Sequence, residues 1–260
     1  MKRRWPPAGV GGAYALGCRA LVHGDRGEFA IAYVQAHEAL ALVSNTGNPV
    51  EGSLCGLLGM IQLWQGRFQD ALTTAARGRA TGERCNGHYV LAMCEAVSSF
   101  ARWRLDRSLL ALDSLALCVE WLERRDINLY LSFCLGHLAR AELEAGRVEL
   151  ATRHAHRTLE RAEDGDPLGQ AMAHRVLATV AARAGQEEQA RKQCALALRC
   201  AEHRASNREL ALTDLTLSEL EAAFGRPEQG RAFLESARGR FQELRMAWHL
   251  AESERMLRLL

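Results

Sequence analysis

The chain has 260 residues, 48% of them hydrophobic and 25% charged, which is ample material for a packed core and far from the composition of a disordered chain. Its 33 basic and 31 acidic side chains leave a formal charge of +2, so no global field draws it to nucleic acid or to an anionic membrane surface. Only five prolines occur, no run alternates apolar and polar residues as a strand would, and no stretch reaches the roughly 18–20 apolar residues of a membrane span.

Residues 1–12 read as irregular. The basic start, followed by Ala, Gly and Leu up to Cys18, imitates a secretory leader, but it is poor in Leu, Ile and Val, and 13–20 fit better as the first helix of a repeat. A second helix over 28–43 follows, closed by Asn45-Thr-Gly-Asn-Pro49. A helical hairpin over 51–80 comes next, then a connector at 81–87. A third hairpin turns at Leu105-Asp106-Arg107. Its first helix leaves two registers open: Ser98, Ser99 and Arg102 lie where the preceding hairpin has Leu58, Gly59 and Gln62, and a one-residue shift turns Phe100 and Trp103 inward instead. Further hairpins are expected over 128–162, 167–199 and 209–237. The tail carries Leu244, Trp248, Leu250, Met256, Leu257 and Leu260, the apolar set of a capping helix over 246–260.

These hairpins are copies of one another. A glycine followed five residues later by a small residue occurs at Gly27/Ala32, Gly66/Ala71, Gly146/Ala151, Gly185/Ala190 and Gly225/Gly230, with Asp106/Ala111 as a degenerate copy. Successive turns are separated by 39, 40, 40, 39 and 40 residues. A fixed period of this kind is the signature of a solenoid, in which each repeat buries its apolar face on its neighbours. The expected fold is all-α, a right-handed superhelical solenoid of about six antiparallel helix hairpins over 13–245.

Leu58-Gly59, Gly66, Phe68, Ala71, Ala75 and Gly78 reproduce much of the spacing of a tetratricopeptide repeat. Leu138-Ala139, Gly146, Ala151 and Ala155 repeat it, as do Leu177-Ala178, Gly185, Ala190, Cys194 and Ala197. The period exceeds the usual 34 residues of that repeat, and the excess lies in connectors such as Asp164-Gly-Asp-Pro-Leu-Gly169. The chain thus resembles the long-period tetratricopeptide variety with a G-D-x-x-G connector, similar to that of kinesin light chains. It also resembles the sensor arrays of bacterial signal-transduction ATPases, including the maltose-regulon activator and its relatives. HEAT repeats share a period near 40, but the Gly-to-Ala turn argues against them.

Catalytic and metal-binding signatures are missing. The eight cysteines include no C-x-x-C pair and fall mainly at repeat core positions, where cysteine acts as a small apolar residue. Such cysteines fit a reducing compartment, and the expected setting is the cytoplasm of a bacterium. His154 and His156 are two apart and point to different helix faces. With Lys2 and Lys192 the only lysines, no phosphate-binding loop is present, and neither G-x-S-x-G nor H-E-x-x-H occurs. Acid pairs such as Glu142/Glu144 and Glu219/Glu221 read as solvated helix faces. The arginine clusters at 102/104/107 and 238/240 have acidic neighbours, which argues against direct nucleic-acid binding.

What remains is binding. The repeat register places Met60, Trp64, Phe100, Trp103, Phe133, Arg140, Arg175 and Arg183 on the concave side that first helices line in the fold it resembles. Aromatic, Met and Arg residues are favoured interface anchors, and here they suggest an apolar patch running into a basic stripe, suited to a peptide with an apolar segment and an acidic end. The first expectation is therefore a non-catalytic adaptor that binds a protein or peptide in this groove, with no cofactor and no metal. The alternative, implied by the resemblance, is the effector-sensing and oligomerisation portion of a signal-transduction ATPase or regulator, without its ATPase and DNA-binding parts. That reading leaves a small effector and self-association open.

Overall fold

The computed structural model describes residues 9–44 and 46–258. Among them are thirteen α-helices and a single 3-10 turn, and no strand. They fall into two units divided between Leu105 and Asp106. The first unit holds α1 (Val10–Arg26), α2 (Phe29–Val43), α3 (Val50–Gln65), α4 (Phe68–Arg84) and α5 (His88–Asp106) but for its last residue. The second holds α6 (Leu109–Glu123), α7 (Leu131–Glu144), α8 (Val148–Glu163), α9 (Gln170–Arg183), α10 (Glu187–His203), α11 (Asn207–Ala223), α12 (Pro227–Glu243) and α13 (Ala247–Leu257), with the 3-10 turn at Pro167–Gly169.

The hairpins form because glycine ends all but one of the first helices in the left-handed conformation, which L side chains adopt at a cost. Gly27, Gly66, Gly146, Gly185 and Gly225 have φ between 72° and 88°. At the first junction of unit 1 the Glu28 amide bonds back to the His23 carbonyl at 2.9 Å, and Arg67 does the same to Gln62 at 2.8 Å. In the degenerate copy the left-handed residue is Arg107, at φ 58°, one position beyond the aspartate that the periodicity selects. Phe100 and Trp103 are buried and Arg102 is exposed, as the one-residue slip requires, although Ser98 and Ser99 are buried as well.

The small residue five positions after each turn lets the paired helices approach. Ala32, Ala71, Ala151 and Ala190 are fully buried, and a methyl on Gly230 would come within 2.9 Å of the Ser218 carbonyl oxygen. Within unit 1, α3 packs on α1 and α2; within unit 2, α9 lies between α7 and α11, and α13 packs on α12. Alanine dominates these seams: Ala139, Ala151, Ala155 and Ala173 meet Leu143, Val176 and Leu177 in one cluster, and Ala178, Ala181 and Ala190 meet Cys194, Leu217 and Leu220 in the next. The G-D-x-x-G connector has a definite task. Asp166 Oδ2 accepts the Ser132 amide at 2.9 Å, capping α7, and the Gly169 amide donates to Ser132 Oγ at 3.1 Å.

Several boundaries differ from expectation. Val10–Gly12 belong to α1 rather than to an irregular segment, while residues 1–8 lie outside the described residues, as do Asn45 of the first connector and Leu260 of the tail. The helix expected over 246–260 spans Ala247–Leu257.

Candidate functional site

The structure places the eight expected groove residues in two classes. Met60, Trp64, Phe100, Trp103, Phe133 and Arg175 are each at most 6% exposed. They are core residues, which corrects the expectation of an apolar patch open to a ligand for the first five and of a place in the basic stripe for Arg175. The cause is the position of the first helices between neighbours. On α3, even Glu51, Gln62 and Gln65 are buried; Gly17 of α1 abuts Leu54 on one side, and Gly52 and Gly59 abut Val90 and Val97 of α5 on the other. Phe133 packs its ring on His137 with centroids 4.2 Å apart.

Arg175 is buried for an electrostatic reason. It forms an ion pair with Glu209 on α11, and its Nη1 also reaches Thr213 Oγ1 at 3.4 Å. Arg208 Nη1 lies 2.7 Å and Arg204 Nη2 3.8 Å from the same carboxylate. Burial alone would raise the Glu209 carboxyl, but Arg175, Arg208 and Arg204 outweigh it and hold it well below the usual carboxylate range. Two of the four acids expected to be solvated are corrected in the same way. Glu142 is buried against His154, itself buried, at 2.7 Å, and Glu221 is buried between Arg191 at 2.6 Å and Arg226 at 2.5 Å.

Arg140 and Arg183 do reach solvent. Arg140 stands six residues before the turn glycine of its hairpin, and Thr179 and Glu219 occupy the same place in the next two; Glu144 and Arg183 each stand two before theirs. In unit 2 these positions form one polar face along α7, α9 and α11. Arg140 Nε donates to Glu144 Oε1 at 2.7 Å, Arg107 pairs with the other oxygen, and Arg183 Nη1 donates to the Leu143 carbonyl at 3.3 Å. Glu219 is exposed yet burial is the largest influence on its carboxyl and raises it, with Arg140 and Arg183 pulling it back and Glu144 and Glu252 pushing with the burial. Glu219 takes part in no hydrogen bond or ion pair among the described residues. The stripe expected to be basic therefore alternates in sign, and Glu144 and Glu219 are the members that charge alone concealed; their distance from the turn glycines is the signal that marks them.

Nothing in this face pairs a nucleophile with a base. Among the described residues no cluster of His, Cys, Asp and Glu could hold a metal, and no helix is long and apolar enough to cross a membrane.

Solved structures share this fold. The signal-transduction ATPase with a tetratricopeptide repeat sensor from Pyrococcus horikoshii superposes with a TM-score of 0.54 at 15% identity over 95% of this chain. NprR, solved in complex with its cognate peptide NprX, superposes at 0.50 with 17% identity, covering 92% of this chain and 84% of that one. The fold is the tetratricopeptide-repeat fold. This chain spans 42% of the length of the Pyrococcus ATPase. No protein-family model matches the tetratricopeptide-like sequence, and no curated protein is similar to it.

Proposed function

We propose that this tetratricopeptide array is a non-catalytic scaffold that binds a protein or peptide on the polar wall of unit 2, with Arg140, Arg183 and Glu219 as the contact residues. The observation that carries the reading is Glu219, an accessible carboxyl left without a hydrogen-bonding partner and held within the electrostatic reach of Arg140 and Arg183. A wall of alternating charge fits an extended chain that carries charges of both signs, and an aromatic anchor pocket is not part of it. The peptide complex of NprR supports the class of ligand by analogy of fold. The cytoplasm is the proposed setting, supported by eight free cysteines.

The test is selection of a displayed random-peptide library on the purified chain, beside an Arg140→Ala/Arg183→Ala/Glu219→Gln variant of unchanged circular dichroism. Enriched peptides that the variant fails to hold support the scaffold. No enrichment, or enrichment that the variant retains, refutes the wall as the site. The second reading, an effector sensor within a larger signalling ATPase, is favoured by the match of the whole array to the sensor-bearing Pyrococcus protein; a thermal-shift screen of metabolites addresses it, with stabilisation by a small molecule and no peptide as its distinguishing result.

A further inference from the structure

Four charged side chains from three other helices of unit 2 act on the Glu219 carboxyl of α11: Arg140 and Glu144 of α7, Arg183 of α9 and Glu252 of α13. Their commitments differ. Glu144 is held by Arg140 at 2.7 Å and by Arg107, and Glu252 is held by Arg255 at 2.5 Å. Arg183 reaches back to the Leu143 carbonyl on α7, away from α11, because α9 lies between those two helices. Both guanidinium groups are thus engaged at α7. Of the three carboxylates, only Glu219 has no ion pair among the described residues.

The wall also leaves room beside it. At the places six and two residues before the turn glycine, α7 carries Arg140 and Glu144, but α9 carries Thr179 above Arg183, and α11 carries Glu219 above Ala223. Thr179 donates its hydroxyl to the Arg175 carbonyl of its own helix at 3.1 Å. Exposed Ala223 offers only a methyl, one helical turn, about 6 Å, from Glu219. Burial pushes the Glu219 carboxyl up, and Glu144 and Glu252 push the same way, so its ionised form gains from any positive charge brought to it.

Resting on the reading of this wall as a peptide site, we infer that Glu219 receives a lysine or arginine side chain of the bound peptide, whose ammonium or guanidinium donates to the carboxylate. The charge that the chain does not supply is then supplied by the ligand. An acidic side chain at the same place would face Glu219 with Glu144 and Glu252 in reach and would be repelled, so the wall selects by sign as well as by contact.

The test uses the full chain. Peptides selected by wild type from a displayed random library are expected to share one basic residue at a fixed place. The tightest is then synthesised with a fluorophore and its binding read by anisotropy. Glu219→Gln, at an exposed position that leaves circular dichroism unchanged, weakens binding roughly tenfold. Glutamine in place of the peptide's basic residue does the same, and the two changes together weaken it no further, because they remove one contact. Glu219→Arg instead prefers the peptide with glutamate at that place. Enriched peptides with no shared basic residue, or losses that add, would overturn the inference and leave the scaffold standing. Absence of any enriched peptide would overturn both. Spermidine separates the other source of a cation: thermal stabilisation by it that Glu219→Gln abolishes, with no peptide enriched, would give the carboxylate to a free amine and overturn its assignment to a peptide.

Discussion

Replacing Glu209 by Gln keeps its shape and removes the charge that Arg175, Arg204 and Arg208 share. Glu209 and Arg208 are at most 1% exposed and Arg175 is 4% exposed, so solvent screens little of the change. Breaking a buried ion pair by removing one partner costs about 3–5 kcal/mol, a large part of the roughly 5–15 kcal/mol that holds a domain folded. For a body of this size each kcal/mol shifts the midpoint by about 2–4 °C, so a fall of roughly 10 °C is expected by circular dichroism, with urea unfolding as the check. A loss under about 1 kcal/mol would show that the cluster behaves as if exposed and refute the reasoning. The pH dependence has a definite sign. The folded carboxyl lies below its unfolded value of about 4.3, so its contribution is full above that value and is lost as pH falls through the folded one. Glu209→Gln should lack that portion of the acid sensitivity. Adding Arg175→Met should recover part of the loss, because an apolar side chain removes a buried cation.

Gly169→Ala would drive a methyl into the Ser132 carbonyl and to 2.6 Å from Thr158 Cγ2, at a cost of about 1–3 kcal/mol in urea unfolding. Gly239→Ala, inside α12 with nothing within 4 Å, should instead gain up to about 1 kcal/mol; equal effects at the two sites would contradict the packing described. Burial pushes the thiols of Cys55 and Cys194 up to about 11 and that of Cys94 to about 12, so native protein at pH 8 should react with a disulfide reagent only through half-buried Cys18, Cys85 and Cys200. Fast labelling of Cys94 would show that α5 opens.

The hairpin period was legible because its cause is local. Gly185 must adopt a left-handed backbone and Ala190 must leave room for the facing helix, and both demands survive in the sequence. The site was less legible, because helical periodicity assigns one buried face to each helix. In α3 and α7 neighbouring helices stand on both sides, so Trp64 and Phe133 are enclosed although they fall on the face expected to be open. Charge misled in the opposite direction: Glu142 and Glu221 read as solvated, and their burial is offset in part by His154, 12 residues away in sequence, and by Arg191 on the preceding hairpin, which leave no local pattern.

Those long-range partners also bear on how the chain avoids folding into the wrong order. The alanine seams differ little from one junction to the next, so by packing alone almost any hairpin could dock on any other. The charges are not interchangeable. Arg175 finds its acid in the following hairpin, Arg226 reaches back to Glu187 at 2.5 Å, and Arg147 reaches back to Asp113 at 3.1 Å. A hairpin docked one place too far would lose these partners and set Arg175, which is buried, against carbon. The ion pairs thus act as an address for each repeat, raising the energy of transposed arrangements that near-identical alanine surfaces would otherwise permit.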